Sequence, residues 1–446
     1  MNSNKPNLIA EIPGPKGKAY LEKNDRVVSP SLPHAYPLVI KKAQGCLVED
    51  LDGNTYLDFA AGIAVCSTGH CHPTVVKAIQ DQAEKLIHIC GADFYDPNYI
   101  NLSERIGSLA PGSEPKQVFL GNSGAEAVEA AIKLSRNHTK RPNIIAFFGA
   151  FHGRTMGAVT LTASKPVYHK GFGPLLPAVT HVPYAYCYRC EFNQSYPDCN
   201  LACIDYIENK VLGQNLPAEE VAAIFVEPVQ GEGGYIVPPD GWHQRLRELC
   251  DQHGILFVDD EVQAGIGRTG KMFAIEHWDV VPDIITSAKA LGSGMPISAM
   301  IAKEDIMTWD PGAHGSTYGG NPVASAAAQA TLDVIEQENL MENAASVGAV
   351  MKENLEDIAT NSKMIGDVRG LGLMIGVELV KDKTTKEKAK HETEEVMMAC
   401  FERGLMVLPC GPNSIRFSPP LNITQQDADT ALNIFTEALA DVEKKL

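Results

Sequence analysis

Gly254-Ile-Leu-Phe-Val258 is a compact apolar run that ends on three acids, Asp259-Asp260-Glu261, followed by Val262 and Gln263. A strand buried on one face alternates polar and apolar residues, so a short continuous run reads as a strand covered on both faces. Side chains alternate along a strand, which points Asp259 and Asp260 in opposite directions. A carboxylate held just beyond an apolar strand is costly unless a charged group pairs with it. This stretch therefore predicts both a fold and a place to look for chemistry.

The same pattern recurs to either side. Gln117-Val-Phe-Leu120, Asn143-Ile-Ile-Ala-Phe-Phe148, Val221-Ala-Ala-Ile-Phe-Val226 and Asp283-Ile-Ile-Thr286 are short apolar runs, each followed by polar or glycine-rich residues. Helical stretches separate them, which predicts an α/β fold with a mostly parallel central sheet. Ligands in such sheets sit beyond the carboxyl ends of the strands.

Further from this centre the pattern changes. Pro37–Lys42, Gly45–Asp50 and Thr55–Phe59 read as a small antiparallel meander, with a tight turn at Asp52-Gly-Asn54. Helices are expected from His72-Pro73 to about Ala83, from Asn101 to Ala110 before Pro111-Gly112, and over 322–337. Beyond 345, Val368–Leu379 reads as one glycine-rich strand, and Gly404–Leu408 and Ser414–Ser418 as two more, with helices at 391–403 and 425–444. The expected organisation is a large domain over 61–335 and a small α/β domain built from both termini, 1–60 and 336–446.

Composition narrows the function. With 38 Lys and Arg against 55 Asp and Glu, the formal charge is −17. Nucleic-acid binding needs clustered cations to neutralise phosphates, so that class is set aside. No apolar run reaches the ~18 residues of a membrane span, and the N-terminal stretch lacks the apolar core of a signal peptide. A cytoplasmic enzyme acting on small molecules is expected, with no membrane partner. Among the 11 cysteines, Cys187, Cys190, Cys199 and Cys203 cluster. Their spacing leaves zinc, a disulfide and free thiols all open, and no metal site is assigned.

The residues just beyond each strand carry the chemistry. Gly121-Asn-Ser123-Gly124-Ala125-Glu126 turns tightly into an alanine-rich helix, whose first amides suit a phosphate. Phe151, in Gly149-Ala-Phe-His152-Gly-Arg154, suits a flat aromatic ligand, and Arg154 suits a carboxylate. Glu227 and Glu232 sit in an irregular glycine-rich loop. Lys289, in Ser287-Ala-Lys289-Ala-Leu-Gly, is one lysine in small uncharged surroundings, where an amine can act as a nucleophile. A phosphate turn, a stacking aromatic, an acid for a protonated pyridine nitrogen and a Schiff-base lysine are together what pyridoxal 5'-phosphate (PLP) requires.

Over nearly its whole length the chain resembles the class III (subgroup II) aminotransferases of PLP fold type I. The resemblance rests on Gly69-His-Cys-His-Pro73, Asn122-Ser-Gly-Ala-Glu-Ala127, Phe151–Arg154, Glu227-Pro-Val-Gln-Gly-Glu232, Asp260–Gln263, Lys289 and Ser316-Thr-Tyr-Gly-Gly-Asn-Pro322. It implies that Lys289 forms the Schiff base and that Asp260 pairs with the ring nitrogen. It implies cofactor contacts at Ser123, Gly124, Ala125, Phe151, His152, Glu227 and Gln263. Thr317 would reach the phosphate of a neighbouring subunit, making the protein at least a homodimer. Arg416 matches the arginine that takes the α-carboxylate of glutamate or 2-oxoglutarate, and Glu232 the carboxylate that masks it. Ile63 and Arg154 match 4-aminobutyrate aminotransferases, where the arginine binds the far carboxylate. His70 and His72 belong to a motif that is structural in the family.

The expected activity is amino transfer from an amine donor, 4-aminobutyrate first, to 2-oxoglutarate. Phe-His-Gly-Arg also occurs in ornithine and acetylornithine relatives, although an apolar Ile63 disfavours a second ammonium. The segment 186–203 resembles archaeal members, some of which are racemases or epimerases using the same lysine. A non-catalytic PLP-fold subunit would need a lesion in the site, and the sequence shows none.

Overall fold

The computed structural model describes residues 5–445, which form two compact units: 5–73 with Glu342 to Lys445, and Thr74–Met341.

The larger unit is built on a seven-stranded sheet. Its strands are β1 (Lys116–Gly121), β2 (Asn143–Phe147), β3 (Val179–Val182), β4 (Val221–Val226), β5 (Leu256–Asp260), β6 (Ile284–Ser287) and β7 (Ser298–Lys303). They lie in the order β1-β7-β6-β5-β4-β2-β3. β7 runs antiparallel to both of its neighbours, and the adjacent pairs from β6 to β3 are parallel. All five apolar runs read from the sequence are strands of this sheet. β3 and β7 escaped that reading: β3 is a short edge strand, and β7 (Ser-Ala-Met-Ile-Ala-Lys) is masked by the glycines and proline before it.

Helices cover the sheet. In α1 (Pro97–Leu109) the Asp96 side chain accepts from the Asn98 amide and Pro97 opens the first turn, a combination that suits an N-terminus with free donors. In α2 (Gly124–Thr139), Ala127, Ala130, Ala131 and Leu134 pack on Ile144 and Phe225 of the sheet. Small side chains let that helix approach closely, and each large apolar side chain so buried contributes about 1.5–3 kcal/mol. α3 (Met156–Leu161), α4 (Trp242–His253) and α5 (Pro322–Gln337) come next along the chain. Among the described residues no helix is long and apolar enough to cross a membrane.

The smaller unit joins the N-terminal meander to the C-terminal segments. Thr55–Asp58 pairs in parallel with Leu405–Met406, so the two ends of the chain share a sheet. Where the sequence suggested one strand over 368–379 there are two, Ile365–Leu371 and Met374–Asp382, paired antiparallel around Gly372-Leu373. Gly370 (φ 145°) and Gly372 (φ 52°) take up left-handed backbone there, and the uninterrupted alternation on both sides hid the turn.

Candidate active site

The carboxyl ends of β4, β5 and β6 bring the first group of residues together. β5 and β6 are paired so that Asp260 stands opposite Thr286. The Thr286 hydroxyl donates to Asp260 Oδ1 at 3.0 Å, and the Val262 amide donates to the same oxygen at 3.1 Å. Asp260 Oδ2 lies 2.6 Å from Nδ1 of His152. Both side chains are essentially closed to solvent (3% and 0% exposed). Burial alone would lower the His152 pKa, but the Asp260 hydrogen bond and charge outweigh it and hold the imidazole above its ordinary value.

Glu227, at the end of β4, accepts from the Phe151 amide at 3.0 Å and from the Gly231 amide at 3.0 Å. Burial pushes its pKa up to about 7, with His152 drawing it down and Asp260 raising it. The loop beyond Glu227 folds back on itself through mutual backbone bonds between Gln230 and Ile236. Within that loop the Tyr235 hydroxyl donates to Gln263 Oε1 at 3.0 Å. A Cβ on Gly231 would lie 2.2 Å from Gln263 Nε2, so only glycine leaves room for that amide.

At the phosphate-like turn, Ser123 caps α2 by accepting from the Glu126 amide. The amides of Gly124 and Ala125 begin the helix and therefore have no intrahelical acceptor. A Cβ on Gly124 would stand 2.8 Å from Val262 Cγ1, next to the loop after Asp260. Asn122 Nδ2 donates to Ser316 Oγ at 3.1 Å, which ties this turn to the segment carrying the exposed Thr317.

Lys289 leaves the end of β6 three residues after Thr286 and opens a short 3-10 turn, Lys289–Leu291. Its φ of 41° lies in the left-handed region, an uncommon conformation for a lysine. The side chain is half-buried.

A second group surrounds Tyr168. The Arg154 guanidinium lies over the Tyr168 ring at 5.2 Å and over Phe151 at 5.9 Å. Phe151 and Tyr168 meet edge to face at 5.4 Å. Glu232 Oε1 is 2.6 Å from Lys165 Nζ and accepts from the Tyr168 hydroxyl at 3.4 Å.

Arg416 and Ile63 belong to the smaller unit. Arg416 is buried in the strand Ser414–Phe417, opposite Gly376 and Leu408. Ile63 is 42% exposed, on an irregular turn with φ 68°. The Ser418 amide, just past Arg416, donates to the Phe59 carbonyl at 2.8 Å, so the segments bearing both residues are tied.

The sequence reading did not single out Thr286, Tyr235, Lys165 or Tyr168. Thr286 had a signal, being a hydroxyl that directly follows the apolar pair Ile284-Ile285 in β6. Lys165 and Tyr168 lie in Ser164-Lys-Pro-Val-Tyr168, an irregular segment with no periodicity to read. The thiols of Cys187, Cys190, Cys199 and Cys203 are free and line one small cavity. Among the described residues no three His, Cys, Asp or Glu side chains are grouped to hold a metal ion.

A buried acid braced by an imidazole, a helix start that a Cβ would crowd, an aromatic with an anchored amide and a strained lysine at a strand end fit a phosphorylated pyridine aldehyde. Known proteins similar to this chain agree. The family model for class-III aminotransferases matches residues 29–439. An isoleucine 2-epimerase of Lentilactobacillus buchneri is 43% identical over 92% of this chain and 91% of that protein. A 5-aminovalerate aminotransferase of Pseudomonas aeruginosa is 41% identical over 95% of this chain and 99% of its own. The crystal structure of an amine transaminase from an uncultivated Pseudomonas species, in its PLP-bound form, superposes with a TM-score of 0.86 at 33% identity, covering 93% and 97% of the two chains. The chain belongs to the class-III aminotransferases, an enzyme family whose cofactor is pyridoxal 5'-phosphate.

Proposed function

We propose that the protein is an ω-aminotransferase that takes the amino group of 4-aminobutyrate, or a donor of the same kind, and passes it to 2-oxoglutarate in a ping-pong cycle. The products are a semialdehyde and glutamate. The observation that carries this reading is Arg154, a cation laid on Phe151 and Tyr168 that makes no ion pair among the described residues. A guanidinium there suits a donor with a carboxylate at the far end from its amine. 5-Aminovalerate, the substrate named for one relative, has such a carboxylate, and isoleucine, named for another, does not.

When bound, PLP supplies an aldehyde that takes up amines and a ring that withdraws electrons from the bond being broken. Lys289 Nζ would anchor it and, once released, would serve as the base that moves the proton at the amine-bearing carbon. Asp260 holds the proton on the ring nitrogen, while His152 and Thr286 fix the orientation of its carboxylate. Ser123, Gly124 and Ala125 would hold the phosphate, and Phe151 and Gln263 would hold the ring. Glu227 supports this arrangement by gripping the Phe151 amide. Arg416 takes the α-carboxylate of glutamate, Glu232 neutralises that cation when the donor lacks one, and Ile63 lines the donor chain.

The assembly is proposed to be a homodimer in which Thr317 serves the partner's phosphate. Supporting it, Ile87 (66% exposed), Phe94 (59%), Tyr95 (95%) and Tyr318 (63%) are large apolar side chains open to solvent in the single chain. The Asn321 amide bonds the Ile87 carbonyl at 2.8 Å, so the first and last of these segments adjoin. Apolar surface of this kind marks an interface.

The test is a half-reaction. With 4-aminobutyrate and no oxo acid, the cofactor's visible absorbance is expected to bleach once and stop, then return on adding 2-oxoglutarate. A second reading, an amino-acid racemase or epimerase, is favoured by the identity to the isoleucine 2-epimerase. That reading requires an L-amino acid to lose optical rotation with no oxo acid present, while the absorbance persists.

A further inference from the structure

Lys165 lies between α3 and the short turn Pro166–Tyr168, and none of the amino-transfer steps uses it. Its ammonium is 2.6 Å from Glu232 Oε1, with side-chain exposures of 37% and 13% for the two partners. The Tyr168 hydroxyl donates to that same oxygen at 3.4 Å. On the face of the Tyr168 ring lies the Arg154 guanidinium. One aromatic ring thus carries a lysine–glutamate pair at its hydroxyl and a further cation on its face.

That arrangement holds two cations and one carboxylate. The carboxylate belongs to the protein, yet it is the same chemical group as the far end of an ω-amino acid. If it moved toward Arg154 it would occupy the cation meant for substrate. The Lys165 ammonium opposes that movement, because a half-buried pair keeps more of its Coulomb attraction than a fully solvated one.

We propose that Lys165 is a specificity-determining positioning residue, which keeps the Glu232 carboxylate from competing with substrate carboxylates for Arg154. This rests on the reading of Arg154 as a carboxylate-binding group. Without Lys165, the Glu232 charge redistributes to the remaining cations, and a substrate carboxylate must displace it. An amine that carries no carboxylate has nothing to displace.

The experiment uses the PLP-loaded enzyme and two probes, valerate and pentylamine, with binding read from the cofactor's visible absorbance. In Lys165→Met the valerate dissociation constant is expected to rise about tenfold, with pentylamine unchanged within about twofold, a factor of ten corresponding to about 1.4 kcal/mol. Lys165→Arg keeps the charge and is expected to behave as the parent. Lys165→Met combined with Glu232→Gln is expected to recover most of the valerate affinity. Equal weakening of both probes, unchanged valerate binding in Lys165→Met, or no recovery in the double variant overturns the proposal. Arg154→Met separates the levels. If it leaves valerate binding unaltered, the underlying reading of Arg154 fails. If it weakens valerate and Lys165→Met does not, only the role of Lys165 fails. Valerate has no amine and cannot react, so its outcome stands whichever reaction the enzyme performs. Pentylamine is itself an amine donor, and its affinity is read from the concentration dependence of the initial absorbance change.

Discussion

Nδ1 of His152 and Oδ2 of Asp260 stand 2.6 Å apart, with both side chains sealed from water. The sequence separates them by 108 residues, and the pairing of β4 with β2 and β5 brings their strand ends together. In so dry a place the carboxylate depends on its partners: the imidazole, held above its ordinary pKa, the Thr286 hydroxyl and the Val262 amide. The dyad therefore acts as one unit. Asp260→Asn is expected to slow the amine half-reaction by roughly 10²–10³-fold, the range for losing one preorganised electrostatic partner. His152→Ala is expected to cost about tenfold, and the double variant to be no slower than Asp260→Asn alone. Additive losses in single-turnover rates would show that the two residues act separately.

Lys289 gives a sharper outcome. Lys289→Ala is expected to abolish the shifted visible absorbance of bound PLP and to reduce turnover by more than about thousandfold, since it removes both the anchor and the base. Another lysine would be responsible if the absorbance survived the substitution.

The dimer proposal has its own test. Lys289→Ala and Thr317→Ala subunits, each impaired alone, are mixed after reversible dissociation. If Thr317 serves the partner's phosphate, one site in each mixed dimer combines both lesions and the other has none. Activity is then expected to recover toward about a quarter of the parent's in a random equimolar mixture, on the counting of a two-fold dimer. If Thr317 serves its own subunit, every site carries one lesion and no activity is regained.

How far the sequence anticipated this architecture depended on the type of signal. Strands buried on both faces announce themselves as apolar runs, so β1, β2, β4, β5 and β6 and the acids and lysine at their ends were legible. The turn at Gly372-Leu373 was not, because alternation continues on both sides of it. The Gln263–Tyr235 bond and the Lys165–Glu232 pair were hidden for a different reason. Each joins residues whose approach depends on loops, and loop conformation is set by backbone hydrogen bonds and packing that no periodicity encodes. The alternation rule did separate Asp260 from Asp259, whose surroundings differ completely.

Arg154 predicts a split between substrates. Arg154→Met is expected to raise KM for 4-aminobutyrate by about 10–100-fold, in line with losing a hydrogen-bonded charge pair of about 1.5–3 kcal/mol. kcat at saturation is expected to change little, because the carboxylate is remote from the reacting carbon. Pentylamine, with no carboxylate, is expected to keep its KM. Equal losses for both donors would place Arg154 in structural support of Phe151 instead.

On the opposite face of β5 from Asp260, Asp259 and Glu261 are buried together, 0% and 1% exposed. Glu261 Oε1 accepts from the Ile275 amide at 2.8 Å. Burial first pushes Glu261 up to about 8, and burial with the Glu261 charge raises Asp259 well above the carboxylate range. The two acids therefore retain protons in the folded protein at pH values where the unfolded chain has lost them. Between the ordinary carboxylate value and about pH 8 the folded state binds more protons than the unfolded state, so stability falls as pH rises through that window. Glu261→Gln keeps an acceptor for Ile275 and gives Asp259 a permanent donor. Its Tm is expected to exceed the parent's at pH 9 by the equivalent of about 1–3 kcal/mol, and to lose that advantage at pH 5. Parallel Tm curves for the two proteins across this range would mean that the pair does not hold its protons, and that Asp259 is neutralised by another group.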